Sequence, residues 1–349
     1  MEVKGTLTYE KLKQIGVGQG CNSQVFLINE SQLGGVLVAK EVAKDRFNSV
    51  KEYFQESKAI FASKNPNVVS IHYACETDDN IVLVMPYFNK GSLSDRICQN
   101  CLPLKEVIRV AQSVLNGLHH IHIKKYLHLD IKPSNILFSD TDEPMIADFG
   151  QSGLLNQNGV LNPPPMYIFG FPPEVFKNIV TIESDIYLMG VTLYRAINGD
   201  MLFNNQKNSI TSKNDLQNKI ETGQFPDRNS FMPHVPKSIR RIIKKALNID
   251  PKKRYTSAIE LADTLGKVAI SLDWNTQISE NGEIFWRASQ GKGKPDLVVE
   301  LVKDVTDSWN VSVYTVNQGT RRKKSQYCSK ALTHSHAETH LEKTFAALV

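Results

Sequence analysis

Apolar residues with strand-like spacing occupy positions 9–15, 24–29 and 36–42, and a glycine-rich turn separates the first two runs. Short runs of this kind, rich in β-branched and aromatic residues, predict three strands. Residues 49–64 shift to helical spacing, with Phe54, Ala59, Ile60 and Phe61 on one side, and Asn65-Pro66-Asn67 ends the helix. Strands are predicted again at 68–75 and 81–85. Beyond Tyr87 the period is helical: 104–124 is a long amphipathic helix, 183–198 and 236–247 follow, and 263–269 closes this part. After about Leu272 the rhythm changes once more. Residues 283–288, 296–302 and 309–316 predict three short strands, with turn signals at 290–295 and 317–319, and 335–348 predicts a helix. The fold class expected is α+β: a β-rich unit over 1–88, a helical unit over 89–271 and a small β-β-β-α accessory domain over 272–349.

Composition narrows the class. A chain of 349 residues has room for two or three lobes, each with its own core. With 41% apolar and 22% charged residues it reads as an ordinary globular protein, which excludes collagen-like and disordered chains. A formal charge of +5 is too small to argue alone for nucleic acid or a membrane surface. No apolar run approaches the roughly 20 residues needed to cross a bilayer, and residues 1–9 lack the apolar centre of a secretion signal. Five dispersed cysteines are an odd number, so free thiols in the cytoplasm are expected rather than a disulfide scaffold. One Cys-x-x-Cys, Cys98 and Cys101, has no second pair and argues little for zinc.

The chemistry is concentrated in three places. Gly18-Gln19-Gly20 and Ser23-Gln24-Val25 lie between two predicted strands. Alone this is most simply a tight hairpin. Lys40 on the next strand changes the picture, because glycines let backbone amides approach phosphates and a lysine one strand away reaches them. Glu56 on the following helix is placed to fix that lysine, with Glu52 one turn earlier as the alternative. The strongest signal is His128-Leu129-Asp130-Ile131-Lys132-Pro133-Ser134-Asn135-Ile136-Leu137, followed by Asp148-Phe149-Gly150. Asp130 can orient an attacking hydroxyl. Lys132 can neutralise transferring phosphoryl oxygens, and Asn135 and Asp148 offer oxygen ligands to Mg²⁺.

In order, spacing and residue type these motifs resemble the eukaryotic-like (Hanks-type) serine/threonine protein kinase family, over residues 9–269. The resemblance implies a two-lobed kinase fold, with residues 1–88 as N-lobe and hinge and 89–271 as C-lobe. It implies ATP and Mg²⁺ (or Mn²⁺) as cofactors, a protein hydroxyl as acceptor and no membrane partner. Pro172-Pro173-Glu174 stands where the family has Ala-Pro-Glu. Asp185 matches the aspartate that holds the catalytic loop, and Arg254 the arginine that pairs with Glu174. Met85-Pro86-Tyr87-Phe88 corresponds to the hinge, where the Pro86 carbonyl and the Phe88 amide would read adenine. Val25 and Ala39 would lie above the ring and Leu137 below it. Ile60, Ile71, His128 and Phe149 match an apolar stack that joins the lobes.

Some positions depart from the family. Ser23 replaces the third glycine. Leu129 replaces the arginine that grips a phosphate on the activation segment, so activity without such a phosphate is expected. The segment 148–174 offers Ser152 and Tyr167 but no threonine, and Pro163-Pro164-Pro165 stiffens it. The alternatives are a pseudokinase or scaffold that holds nucleotide without transfer, and a kinase of small molecules. In the accessory domain, Arg321-Arg322-Lys323-Lys324 is expected to be a solvated loop, with nucleic-acid contact as its alternative. His334, His336 and His340 invite a metal reading, since His336 and His340 are one helical turn apart, but metal binding is not expected there.

Overall fold

The computed structural model describes residues 8–16, 23–31, 34–46, 65–98 and 101–348. The helix expected over 49–64, with Glu52, Glu56 and Ile60, and the loop residues Gly18 and Gly20 lie outside the described residues. Five strands form the N-terminal sheet: β1 (Tyr9–Ile15), β2 (Gln24–Glu30), β3 (Gly35–Ala43), β4 (Tyr73–Glu76) and β5 (Asn80–Pro86). All pairs are antiparallel, in the order β1-β2-β3-β5-β4. One face packs Ile28, Ala39, Val82 and Val84, the other Val42, Ile81 and Leu83. Of the strand expected over 68–75 only the end forms. Val68 makes a single bridge to Ile146, with Val69 N–H donating to the Ile146 carbonyl and Ile146 N–H to the Asn67 carbonyl, each at 2.9 Å.

The helical lobe begins with α1 (Leu93–Ile97) and α2 (Leu104–Ile123). α2 buries one stripe, with Val107, Val110, Ala111, Val114, Leu115 and Leu118 at helical spacing. Gly117 lets the Asn67 carbonyl approach this helix; a Cβ there would lie 2.6 Å from that oxygen. Four short strands follow, β6 (Tyr126–Leu127), β7 (Ile136–Phe138), β8 (Pro144–Ile146) and β9 (Gly153–Leu154), with β6 paired to β9 and β7 to β8. α3 (Ile182–Asn198) is buried at every residue from 184 to 194 and forms the axis of the lobe. Around it lie α4 (Asp200–Asn208), α5 (Lys213–Glu221), α6 (Lys237–Ala246) and α7 (Ala258–Gly266). α4 and α5 were not expected, because each buries only two side chains and shows almost no apolar period. The last helix starts earlier than the expected 263–269. Ser257 caps it by accepting from the Glu260 amide.

The accessory region is corrected from three strands to six: β10 (Asn275–Ile278), β11 (Ile284–Ala288), β12 (Asp296–Lys303), β13 (Trp309–Asn317), β14 (Thr320–Lys323) and β15 (Ser329–Leu332), followed by α8 (His334–Leu348). The order is β10-β11-β12-β13-β14, and β15 also pairs with β13. The basic run from Arg321 is therefore mostly strand, not loop. Gln318 and Gly319, with φ of 45° and 84°, make the two-residue turn that pairs Asn317 with Thr320. A sheet edge accepts a charged strand that a sheet centre would not.

One face of this sheet joins the core of the helical lobe. The Phe345 ring lies 5.0 Å from Trp274 and 5.2 Å from Trp286. The Trp286 indole N–H donates to His234 Nδ1 at 3.0 Å, and Arg240 pairs with Glu342 at 2.5 Å. Burial, helped by the nearby Arg240 cation, pushes the His234 pKa down to about 3. That is below the unfolded value of about 6.5, so in the interval the unfolded chain binds the extra proton. Stability from this site is complete above about pH 6.5 and is lost as pH falls toward about 3. The urea midpoint should fall over that range, and less so in His234→Asn. Trp286→Ala should cost about 3–5 kcal/mol at neutral pH, read as a lower midpoint in one shared unfolding transition.

Candidate active site

The loop between β6 and β7, residues 128–135, has a shape that it would not take unaided. Leu129 has φ of +61°, a left-handed conformation that costs a branched residue about 1–2 kcal/mol. Asp185, from the first turn of α3, holds it there. Its carboxylate accepts the backbone N–H groups of His128 at 2.9 Å and Leu129 at 2.8 Å, and His122 Nε2 lies 2.8 Å away. Burial alone would raise the Asp185 pKa; the hydrogen bonds from His122 and the loop amides hold it below the usual carboxylate range. The arrangement requires an anion at position 185, and the Leu129 side chain is buried in the core.

Asp130, Lys132 and Asn135 then converge. Lys132 Nζ donates to Asp130 Oδ2 at 2.8 Å, and Asn135 Nδ2 donates to the same oxygen at 2.7 Å and to the Asp130 carbonyl at 2.9 Å. Burial raises the Asp130 pKa, and the Lys132 cation only partly offsets it. The His128 ring accepts from the Asp130 amide on Nδ1 at 3.2 Å, leaving Nε2 to donate to the Ala147 carbonyl at 3.2 Å. Its ring meets Phe149 edge-on at 4.7 Å. Ala147 N–H donates to the Asn135 carbonyl at 2.8 Å, tying the two motif segments together.

Asp148 also has positive φ, +63°, and its carboxylate pairs with Lys40 Nζ and accepts the Gly150 amide at 3.1 Å. Crowding by protein acts to raise its pKa, but the Lys40 cation and the Gly150 amide bring it down to about 2. Asp148 therefore stays ionised. With the Asn135 amide nitrogen committed to Asp130, the side-chain oxygens of Asn135 and Asp148 are hard donors that could hold a cation such as Mg²⁺.

Val25 pairs with Lys40 and Lys40 with Leu83, so these side chains share one face of the sheet. Ala39 does not join them. It points to the opposite face, packed with Ile28, Val82 and Val84. Val38, two residues before Lys40, shares the lysine's face and was missed; the two-residue period of a strand was the available signal. Met85 and Pro86 end β5, with Pro86 opposite Leu37, and the Phe88 carbonyl accepts from Gly91 N–H at 3.4 Å. Leu137 is half-buried while its neighbours Ile136 and Phe138 are fully buried, as for a side chain turned from the core.

The segment 148–174 is anchored by contacts along its length. β9 pairs with β6, Leu155 N–H donates to the Lys125 carbonyl at 2.8 Å, and Leu161 bridges Val180. Ser152 is buried and its hydroxyl reaches the His128 carbonyl at 3.4 Å. Glu174 receives both Arg254 Nη atoms at 2.7 Å and the Ser184 hydroxyl at 2.6 Å. Tyr167 is exposed, its ring 5.6 Å from Lys132 Nζ and 5.7 Å from Phe169. With Asp130, Lys132, Arg195 and Phe203 these rings line a cleft of about 330 Å³, counting the open space at its mouth.

Elsewhere, His340 Nε2 bonds the Tyr327 carbonyl at 2.9 Å and His334 packs on Trp309 at 5.2 Å. Among the described residues no three His, Cys, Asp or Glu side chains cluster as a metal site. No helix among them is long and apolar enough to cross a membrane.

The family model for the protein kinase domain matches residues 9–265. The chain is 27% identical over 260 residues to the serine/threonine-protein kinase PrkC of Bacillus subtilis, covering 72% of this chain and 39% of that protein. It is 30% identical over 275 residues to the probable serine/threonine-protein kinase CPE1738 of Clostridium perfringens, covering 75% and 38%. Human NUAK family SNF1-like kinase 1 is 28% identical over 262 residues, covering 72% and 38%. The chain thus spans about two fifths of the length of these relatives. It belongs to the protein kinase family, and the match ends before β10.

Asp185→Ala would strand two buried amides and release the left-handed Leu129. It should lower stability by about 3 kcal/mol or more, measured by urea unfolding, and loosen the loop in hydrogen exchange at residues 128–130.

Proposed function

We propose that the chain is an ATP-dependent protein kinase that transfers the γ-phosphoryl group to serine or threonine hydroxyls. One observation carries the reading: Asp130, Lys132 and Asn135 meet in a single hydrogen-bonded cluster, beside a Lys40–Asp148 ion pair, on a protein kinase scaffold. Asp130 orients the acceptor hydroxyl and takes its proton, which its raised pKa favours. Lys132 is within reach of both that carboxylate and an entering phosphoryl oxygen. Lys40 clamps the α- and β-phosphates, a role in which Glu56, outside the described residues, is the partner expected from the sequence. Gly18 and Gly20 cover the phosphates. Val25, Met85, Pro86, Phe88 and Leu137 form the adenine site, and Val38 takes the place expected for Ala39. Asn135 and Asp148 hold Mg²⁺, or Mn²⁺, which neutralises charge on the phosphates. The four described cysteines, Cys75, Cys98, Cys101 and Cys328, are free thiols, in keeping with a cytoplasmic site of action.

Asp130→Ala should cut phosphate transfer by about 10²-fold or more and leave ATP affinity within a few fold. Equal labelling by wild type and variant would instead assign the chain to nucleotide-binding scaffolds. Because Asp130 must be ionised, the acid limb of the rate profile should lie above the ordinary carboxylate range.

Buried Ser152 and apolar Leu129 leave little for an activation-segment phosphate to do. Phosphatase-treated enzyme, and a Ser152→Ala, Tyr167→Phe double variant, should keep most of their rate. A loss in both of more than about tenfold, or 1.4 kcal/mol of activation free energy, would contradict this. Tyr167 beside Lys132 crowds the acceptor position. Phosphoamino-acid analysis should therefore show phosphoserine and phosphothreonine, with little phosphotyrosine.

A further inference from the structure

The accessory sheet has one face closed and one open. Trp286, Val299, Leu301, Val311 and Val313 face the core with Leu341 and Phe345 of α8. The alternate residues face outward, in register across four strands: Arg287 on β11, Val298 on β12, Tyr314 on β13 and Lys323 on β14 form one row. Phe285 lies in the next row, opposite Glu300 and then Ser312. Arg321 is more than half exposed and holds its guanidinium 5.3 Å over the Tyr314 ring, reaching Glu300 at 2.9 Å. Arg287 is similarly exposed beside Asp296.

Charge on this face is polarised along the strands. Lys292 and Lys294 stand in the β11–β12 turn, at the same end as the Gln318-Gly319 turn and Arg321. At that end five cations meet Asp296 and Glu300, whereas at the other end Glu283, Asp304 and Asp307 gather around one cation, Lys303. A polyanion is therefore attracted to one half of the face and repelled from the other. Within the attractive half partly exposed Tyr314 lies under Arg321, and partly exposed Phe285 lies at its border, between Arg287 and Glu283 and opposite Glu300.

We propose that this half of the open face binds single-stranded nucleic acid. Phosphates run along Arg287, Lys292, Lys294 and Lys323, and bases stack on Tyr314 and Phe285. An acidic peptide would use the cations but gain nothing specific from two flat rings, and a duplex hides the faces of its bases. The backbone contacts supply affinity that salt weakens, and the rings supply a platform indifferent to base identity.

The test is fluorescence anisotropy of a labelled oligothymidine of about twenty nucleotides with the full chain, at about 50 and 200 mM salt. Binding should weaken with salt, with a log–log slope of about −2 to −4. Tyr314→Ala should weaken binding by about five- to a hundredfold with little change in slope, while Tyr314→Phe keeps the platform and the affinity. Lys292→Gln with Lys294→Gln should make the slope shallower by about one. Thermal midpoint and phosphate transfer of each variant report its folding, and none of these residues belongs to the kinase cleft. The proposal fails if no binding is seen at the lower salt, or if folded Tyr314→Ala binds as wild type does. It also fails if a duplex, an acidic peptide or phosphatidylserine vesicles bind as tightly as the single strand.

Discussion

Around the Asp185 carboxylate, fully withdrawn from water, two loop amides and one imidazole supply the donors that make its burial tolerable. An unpaired buried charge would cost several kcal/mol, so the loop and α3 must close on each other together. From that closure follow the left-handed turn at Leu129 and the direction of Asp130. The convergence of Lys132 and Asn135 on one carboxylate oxygen follows as well. The axis helix thus does more than fill the lobe: it sets the backbone from which the polar cluster projects.

The opposite wall is held by a different balance. Lys40 is mostly buried, and its ammonium is tolerable there because Asp148 stays ionised. Asp148 in turn owes its position to a second left-handed residue and to the Gly150 amide. Two strained backbone points thus aim two carboxylates, Asp130 and Asp148, while Ala147 and Asn135 join the segments that carry them. Strain of this kind persists only where surrounding contacts outweigh it.

Legibility in the sequence followed how local each determinant is. The catalytic loop, Asp148-Phe149-Gly150 and the Glu174–Arg254 pair could be read from residue type and spacing, and the geometry joins them as expected. Long periodic helices were equally plain. Ala39 does not reach the expected place above the ring because β3 alternates with a period of two, which sets Val38 and not Ala39 on the Lys40 face. α4 and α5 were hidden because they bury too little to leave a pattern. β10, β14 and β15 were missed because four-residue polar strands owe their existence to partners, above all β13, and not to their own composition. The contact of Trp286 and Phe345 with His234 links positions far apart in sequence, and no local rule anticipates it.

Leu129 is the feature with the widest reach. A cation at that position would be an unfinished ion pair, waiting for chemistry elsewhere to complete it. A leucine is complete as soon as the chain folds, because its partner is the core itself. Under the proposed function, position 129 therefore offers no cation for a phosphate to complete, and the loop takes its shape from folding alone.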